Sequence, residues 1–277
     1  MKRLSDLVQD PSGVMRRALV AAAWALAFGL AALPARSETL AAQSSCAVPH
    51  DLLRSTNKLP RVAKKLQRGE AIKVVAFGSS STAGIGASSP KATYPSQFRA
   101  ELQRLFPHSK ITIVNKGVAG EDVMEMLGRF QRDVLDEHPD LLIWQTGTNS
   151  ALHRNKVSAY SGRLTQGIDQ AHAAGIDVLL MGPQFSPKFE AVPNHHAFLD
   201  HIATIASVRR VPVLPRYQIM KYWLDSGQMT EPQMVNPDGL HQTDRSYHCL
   251  GVVAAEMVAG LAEHPTMAGV PVAHKAP

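Results

Sequence analysis

The chain has 277 residues, 45% of them hydrophobic and 19% charged, with two cysteines. This is ordinary globular usage, which excludes a collagen-like, low-complexity or disordered chain, a disulfide-dense scaffold and a four-cysteine zinc site. The formal charge of +6 does not argue for a nucleic-acid partner. Residues 1–37 hold Lys2, Arg3, Arg16, Arg17 and Arg36 against Asp6 and Asp10; the remainder keeps 24 basic and 21 acidic groups, a net of +3, with no run of five like charges.

In chain order, Arg16 and Arg17 precede an uncharged apolar stretch over residues 18–33, then Pro34 and the small-residue sequence Ala35-Arg36-Ser37. This is the order of a secretory signal peptide over residues 1–37, with cleavage after Ala35 or Ser37. The stretch is alanine-rich and short for a hydrocarbon core about 30 Å thick, so no stable membrane span is expected after cleavage. Asp6 and Asp10 do not suit the start of such a signal, and Met15 directly before the paired arginines is the candidate true start. The expectation is an exported protein, periplasmic or secreted. In an oxidising compartment Cys46 and Cys249 are candidates for a single disulfide.

Residues 38–70 are polar or basic without a strong period and read as a lead-in segment, followed by one domain over 71–264 and a loose tail over 265–277. Within the domain, short β-rich apolar runs at 72–77, 111–115, 141–145, 178–181 and 211–214 alternate with helical patterns at 94–106, 122–135, 157–174 and 195–208, with a last helix over 246–262. Strand and helix alternating without hairpin signals predict a three-layer α/β/α fold of about five parallel strands, with the functional residues just beyond the carboxyl ends of the strands.

The first run is followed by Gly78-Ser79-Ser80-Ser81-Thr82-Ala83-Gly84-Ile85-Gly86. A phosphate loop would need a Gly-Lys-Ser/Thr ending, a dinucleotide fingerprint a third glycine, and an α/β-hydrolase elbow a glycine at Thr82. What survives is a serine on a turn, with three serines eligible. The second run ends in Asn115-Lys116-Gly117-Val118-Ala119-Gly120, where a backbone N–H can face an anion. The third ends in Gly147-Thr148-Asn149-Ser150, where a side-chain amide can donate into the same mouth. Asp238 and His241, three apart on a turn before the last helix, are spaced for a carboxylate to orient an imidazole. Together these turns supply the nucleophile, base, orienting carboxylate and oxyanion donors of serine acyl transfer.

These four blocks, in this order across residues 72–261, resemble the SGNH (GDSL-type) hydrolase family. The resemblance implies a flavodoxin-like SGNH hydrolase fold and a serine esterase. It places the nucleophile at Ser80, from Gly78-Ser79-Ser80-Ser81-Thr82, with His241 as base and Asp238 as its partner. The oxyanion hole falls to Ser80, Gly120 and Asn149. Ser79 stands where the family commonly has Asp, and Ser150 where Asp often follows the Asn; activity is expected to survive both departures with an altered hydrogen-bond network. No cofactor and no metal is expected: there is no His-Glu-x-x-His, and His195, His196 and His201 read as a polar helix face. His248 carries no firm role. The expected partner is a small-molecule, glycan or lipid ester, with an acyltransferase on the same site or a non-catalytic envelope- or carbohydrate-binding module as alternatives. Phe185 and Phe189, after the fourth run, read either as acyl-chain contacts or as core.

Overall fold

The computed structural model describes residues 46–262. The signal segment, the candidate start at Met15 and the tail over 265–277 lie outside the described residues. Five strands, β1 (Ile72–Gly78), β2 (Ile111–Gly117), β3 (Leu141–Gln145), β4 (Asp177–Met181) and β5 (Val213–Leu214), form one parallel sheet in the order β2-β1-β3-β4-β5. The inner strands β1, β3 and β4 read as nearly continuous apolar runs because both faces are covered, whereas the edge strand β2 leaves Thr112 and Asn115 exposed. Ile72, Val74, Leu141, Ile143, Leu179 and Met181 join one core, whereas Val75, Phe77, Leu142, Trp144, Val178 and Leu180 join the other. This period-two division is what a helix-covered pleated sheet requires.

The first core is closed by α1 (Pro60–Gln67), α2 (Tyr94–Leu105), α6 (Arg216–Asp225) and α7 (Asp244–Ala262); the second by α3 (Val123–Gly128), α4 (Val157–Ala173) and α5 (His196–Arg209). Phe185 and Phe189 are buried, one in each core, so neither is an open acyl contact. His195, on the turn before α5, packs its ring 5.2 Å from that of Phe189, while His201 on α5 meets Ser161 Oγ at 2.9 Å.

Three differences from the sequence reading have physical causes. The domain begins before residue 71, because the lead-in folds into α1 and buries Val62 and Leu66 against the first core. That helix is fastened by charge: Arg61 Nε and Lys65 Nζ donate to the Asp140 carboxylate at 2.7 and 2.8 Å, and the Lys73 N–H adds a third bond. The pattern at 122–135 is two elements, α3 and a wide π-type turn over Gln131–Leu135. The break falls at Gly128 and Arg129, where a poor helix former precedes an arginine drawn inward by buried acceptors. The fifth strand shrinks to two residues, since Pro212 has no N–H to pair and contributes only its carbonyl, to Leu180 N. The α6 helix, absent from the sequence reading, follows it directly.

Cys46 and Cys249 are joined by a disulfide, with Cα atoms 4.9 Å apart across 203 positions of sequence. It ties the first described residue to α7, and the Cys46 carbonyl accepts from Trp223 Nε1 on α6.

Candidate active site

The turns at the carboxyl ends of β1, β2 and β3 and the loop before α7 carry the site. The turn after β1 coils into one helical turn, Ser80–Ala83. Three serines stand there in different circumstances. Ser79 is held by Gln145 at the end of β3, whose Oε1 accepts from Ser79 N at 2.9 Å, Ser79 Oγ at 3.1 Å and Thr82 Oγ1 at 3.1 Å. Ser81 Oγ donates to Gln184 Oε1 at 2.8 Å. Ser80 Oγ makes no hydrogen bond among the described residues, and at 8% exposure Ser80 is the most open of the three, against 3% and 1%. Of the three, only the Ser80 hydroxyl is left without a partner among the described residues.

The second block fits this turn closely. Asn115 Nδ2 donates to the Thr82 carbonyl at 2.7 Å, and its Oδ1 accepts from Gly117 N at 2.9 Å. Residue 117 must be glycine, because a Cβ there would overlap the backbone of Thr82 and Ala83. Gly120 has φ +85°, a conformation that costs a residue with a Cβ but not glycine. The backbone N–H groups of Ser80 and Gly120 donate to no protein group among the described residues. Asn149 Nδ2, on the short helix Thr148–Leu152, donates one hydrogen to the Glu121 carbonyl at 2.9 Å, placing that amide beside the Gly120 turn. Ser150 is fully buried and accepts weakly from Val123 N, at 3.4 Å.

In the loop before α7, Asp238 and His241 are brought together. Asp238 Oδ2 meets His241 Nδ1 at 2.5 Å, while Oδ1 accepts from the Leu240 and His241 N–H groups, both at 2.9 Å. Burial pushes the Asp238 carboxyl upward, but the Leu240 N–H, the His241 ring and the His241 N–H outweigh it and hold the pKa at about 2. The carboxylate is thus ionised across the whole range in which an imidazole ordinarily titrates. Occupying Nδ1 leaves Nε2 as the nitrogen that can exchange a proton. No hydrogen bond joins Ser80 Oγ to His241 in this structure; the loop and the turn are linked through Gln184, whose Nε2 donates to the Leu240 carbonyl at 2.6 Å.

Four residues important to the architecture carried no signal in the sequence: Gln145, Gln184, Arg129 and Arg216. Arg129 is 7% exposed and bonds Gly78 O, Lys116 O, Glu121 Oε2 and Asp133 Oδ2 at 2.6 to 3.1 Å, with its guanidinium 4.3 Å over the Phe77 ring. It clamps the ends of β1 and β2 together. An Arg129→Leu variant leaves Glu121 and Asp133 short of a buried partner, so a loss of about 3 kcal/mol is expected, measured by urea unfolding; a loss under about 0.5 kcal/mol contradicts the clamp. Arg216 is fully buried with no carboxylate partner among the described residues; Nε donates to Gly182 O at 3.0 Å, and desolvation lowers its pKa to about 10.

Asp122, Glu125 and His153 form a group whose ligand atoms lie within 4.8 Å of one another. The Asp122 oxygens are already engaged by Met124 N, Glu125 N and Asn155 Nδ2, as the cap of α3. His248, on α7, pairs with Gln97 at 2.7 Å.

The model of the Non-GDSL lipase-like family matches residues 45–264. The chain is 25% identical over 207 residues to an uncharacterized lipoprotein, YqeF, of Bacillus subtilis (strain 168), covering 62% of this chain and 83% of that protein. It is 25% identical over 132 residues to an arylesterase of Vibrio mimicus, covering 47% of this chain and 62% of that one. Among solved structures it is similar to a two-domain esterase (CEX) active on acetylated mannans, with a TM-score of 0.64 and 20% identity over 80% of this chain. The match spans 58% of the length of that two-domain protein.

Proposed function

Since the chain belongs to the Non-GDSL lipase-like family, we propose that it is a serine esterase that cleaves O-acyl esters through Ser80, His241 and Asp238. Ser80 Oγ attacks the ester carbonyl and passes its proton to His241 Nε2, while the carbonyl electrons move onto oxygen. That oxyanion is met by the N–H groups of Ser80 and Gly120 and the Asn149 side-chain amide. Collapse breaks the bond to the alcohol, which leaves with the proton held by His241. Water then attacks the acyl-enzyme, giving its proton to His241, and the carboxylic acid departs as Ser80 recovers its hydrogen.

The observation that carries this reading is the Asp238–His241 pair, an ionised carboxylate on Nδ1 that orients the ring and stabilises its protonated form. The substrate is an ester of an envelope or extracellular carbohydrate or lipid. Support comes from the signal pattern of residues 1–37, from the lipoprotein relative, and from the likeness to an esterase active on acetylated mannans. Among the described residues, no helix is long and apolar enough to cross a membrane.

A serine-directed fluorophosphonate tests the reading. One label per chain is expected on the folded protein, and no labelling of it overturns the proposal. The Asn149→Ala variant should keep its fold and lose turnover by about 100- to 1000-fold, measured on model esters from acetyl to palmitoyl; full turnover removes Asn149 from the oxyanion hole.

A further inference from the structure

Gln184 lies on the turn after β4, outside the four blocks, and is 2% exposed. Its groups reach each of the other three walls of the site. Oε1 accepts from Ser81 Oγ, next to the proposed nucleophile; Nε2 donates to the carbonyl of Leu240, next to His241; and its backbone N–H approaches Thr148 Oγ1, next to Asn149, at 3.4 Å. Its amide is one of two hydrogen-bonded links between the turn of Ser80 and the loop of Asp238 and His241; the other is Asn236 Nδ2, which donates to the Gly86 carbonyl, six residues beyond Ser80, at 3.3 Å. Of the two, only Gln184 joins residues adjacent to Ser80 and to His241. Asp238 is exposed, its side chain at 44%, and the Asp238–His241 pair is internal to the loop, so it orients the ring without fixing the loop against the sheet.

We propose that Gln184 is a positioning residue that sets the distance between Ser80 Oγ and His241 Nε2 by bridging Ser81 and Leu240. The inference rests on the esterase reading given above. An amide suits the task because it offers one acceptor and one donor on a rigid plane, matching a hydroxyl on one side and a carbonyl on the other. The bridge is buried at its Ser81 end and half-buried at its Leu240 end. The same turn continues into the short helix Pro187–Glu190, whose Lys188 N–H donates to the Gly239 carbonyl at 3.0 Å, a second fastening of the same loop. The charged groups around Gln184 are the Asp238–His241 pair, Lys188, and Arg216, whose Nη2 approaches the same Thr148 hydroxyl at 3.5 Å. The buried hydroxyl of Tyr247 also lies against Ser81, and burial raises its pKa far above neutrality, so it stays protonated.

Two variants separate positioning from bulk stability. Gln184→Leu keeps the volume and loses both bonds. Gln184→Glu keeps the acceptor for Ser81, and donates to the Leu240 carbonyl only while its carboxyl is protonated. With p-nitrophenyl acetate, Gln184→Leu is expected to lose about 10- to 100-fold in kcat with KM within about twofold, as for a misplaced reacting group, at a temperature where circular dichroism shows the fold intact. The His241 Nδ1–H proton resonance should broaden in the same variant, an effect that needs no substrate. The Gln184→Glu variant should approach wild-type kcat at acid pH and fall relative to wild type as its carboxyl ionises. A Gln184→Leu protein with kcat within twofold of wild type and an unchanged resonance overturns the proposal. If that variant does not fold, a Gln184→Glu to wild-type kcat ratio that stays flat from acid to alkaline pH overturns it. Should Ser80→Ala turn over as fast as wild type, it is the esterase reading that fails. The resonance then decides the bridge alone: broadening in Gln184→Leu supports it, and an unchanged line removes it.

Discussion

Replacing Ser80 by alanine is expected to lower kcat/KM on the best model ester by about 10,000- to 1,000,000-fold, the scale set by deleting the nucleophile from a serine triad. The melting temperature should stay within about 1 °C, because Ser80 Oγ has no hydrogen-bond partner among the described residues and its removal leaves no group unsatisfied. The neighbours make the contrast. Ser79→Ala removes one of three donors to Gln145 Oε1, and Ser81→Ala strips the donor from Gln184 Oε1. Both should lose stability, by about 1 kcal/mol, and still be acylated by a fluorophosphonate, although Ser81→Ala, which frees one end of the Gln184 bridge, should turn over more slowly than Ser79→Ala. If Ser80→Ala keeps a tenth of wild-type turnover while Ser79→Ala or Ser81→Ala is inert, the assignment of the nucleophile is wrong.

Removing the bridge between Cys46 and Cys249 should have the largest effect on stability. The bond closes a loop across 203 positions, for which the chain-entropy model gives about 5 kcal/mol of stabilisation through the unfolded state. For a domain of this size that corresponds to a fall in melting temperature of roughly 10 to 20 °C. The Cys46→Ala/Cys249→Ala double variant, compared with wild type by calorimetry under non-reducing conditions, measures it. The loss should be accompanied by loosening of the segment ahead of α1, since Cys46 is held at α7 by this bond and by the Trp223 indole. A melting temperature unchanged within 2 °C would mean that the packing of α1 alone holds the N-terminal segment.

The two effects rest on different kinds of legibility. The strands of the sheet show in the sequence because a parallel strand covered on both faces must be apolar throughout: residues 141–145 are all buried. The long helices α2, α4 and α7 show through their apolar spacing. The α1 helix does not, because only Val62 and Leu66 are needed to dock a helix that ion pairs to Asp140 also hold. A single helical pattern over 122–135 cannot reveal the break at Gly128, since the acceptors that draw Arg129 inward come from residues as distant as Gly78.

For the site, spacing along the chain was sufficient wherever partners are close in sequence. Asp238 and His241 are three residues apart and Gly120 answers to local backbone geometry, so their pattern within the resemblance was legible, whereas Gly117 is required by the backbone of Thr82 and Ala83, which only the fold brings against it. Which of three adjacent serines is left without a bond, and which glutamine bridges one turn to the next, depended on contacts between residues 56 to 103 positions apart. A buried amide reports its partners only once the sheet has brought them within hydrogen-bond reach, and no period or composition along the chain encodes that meeting.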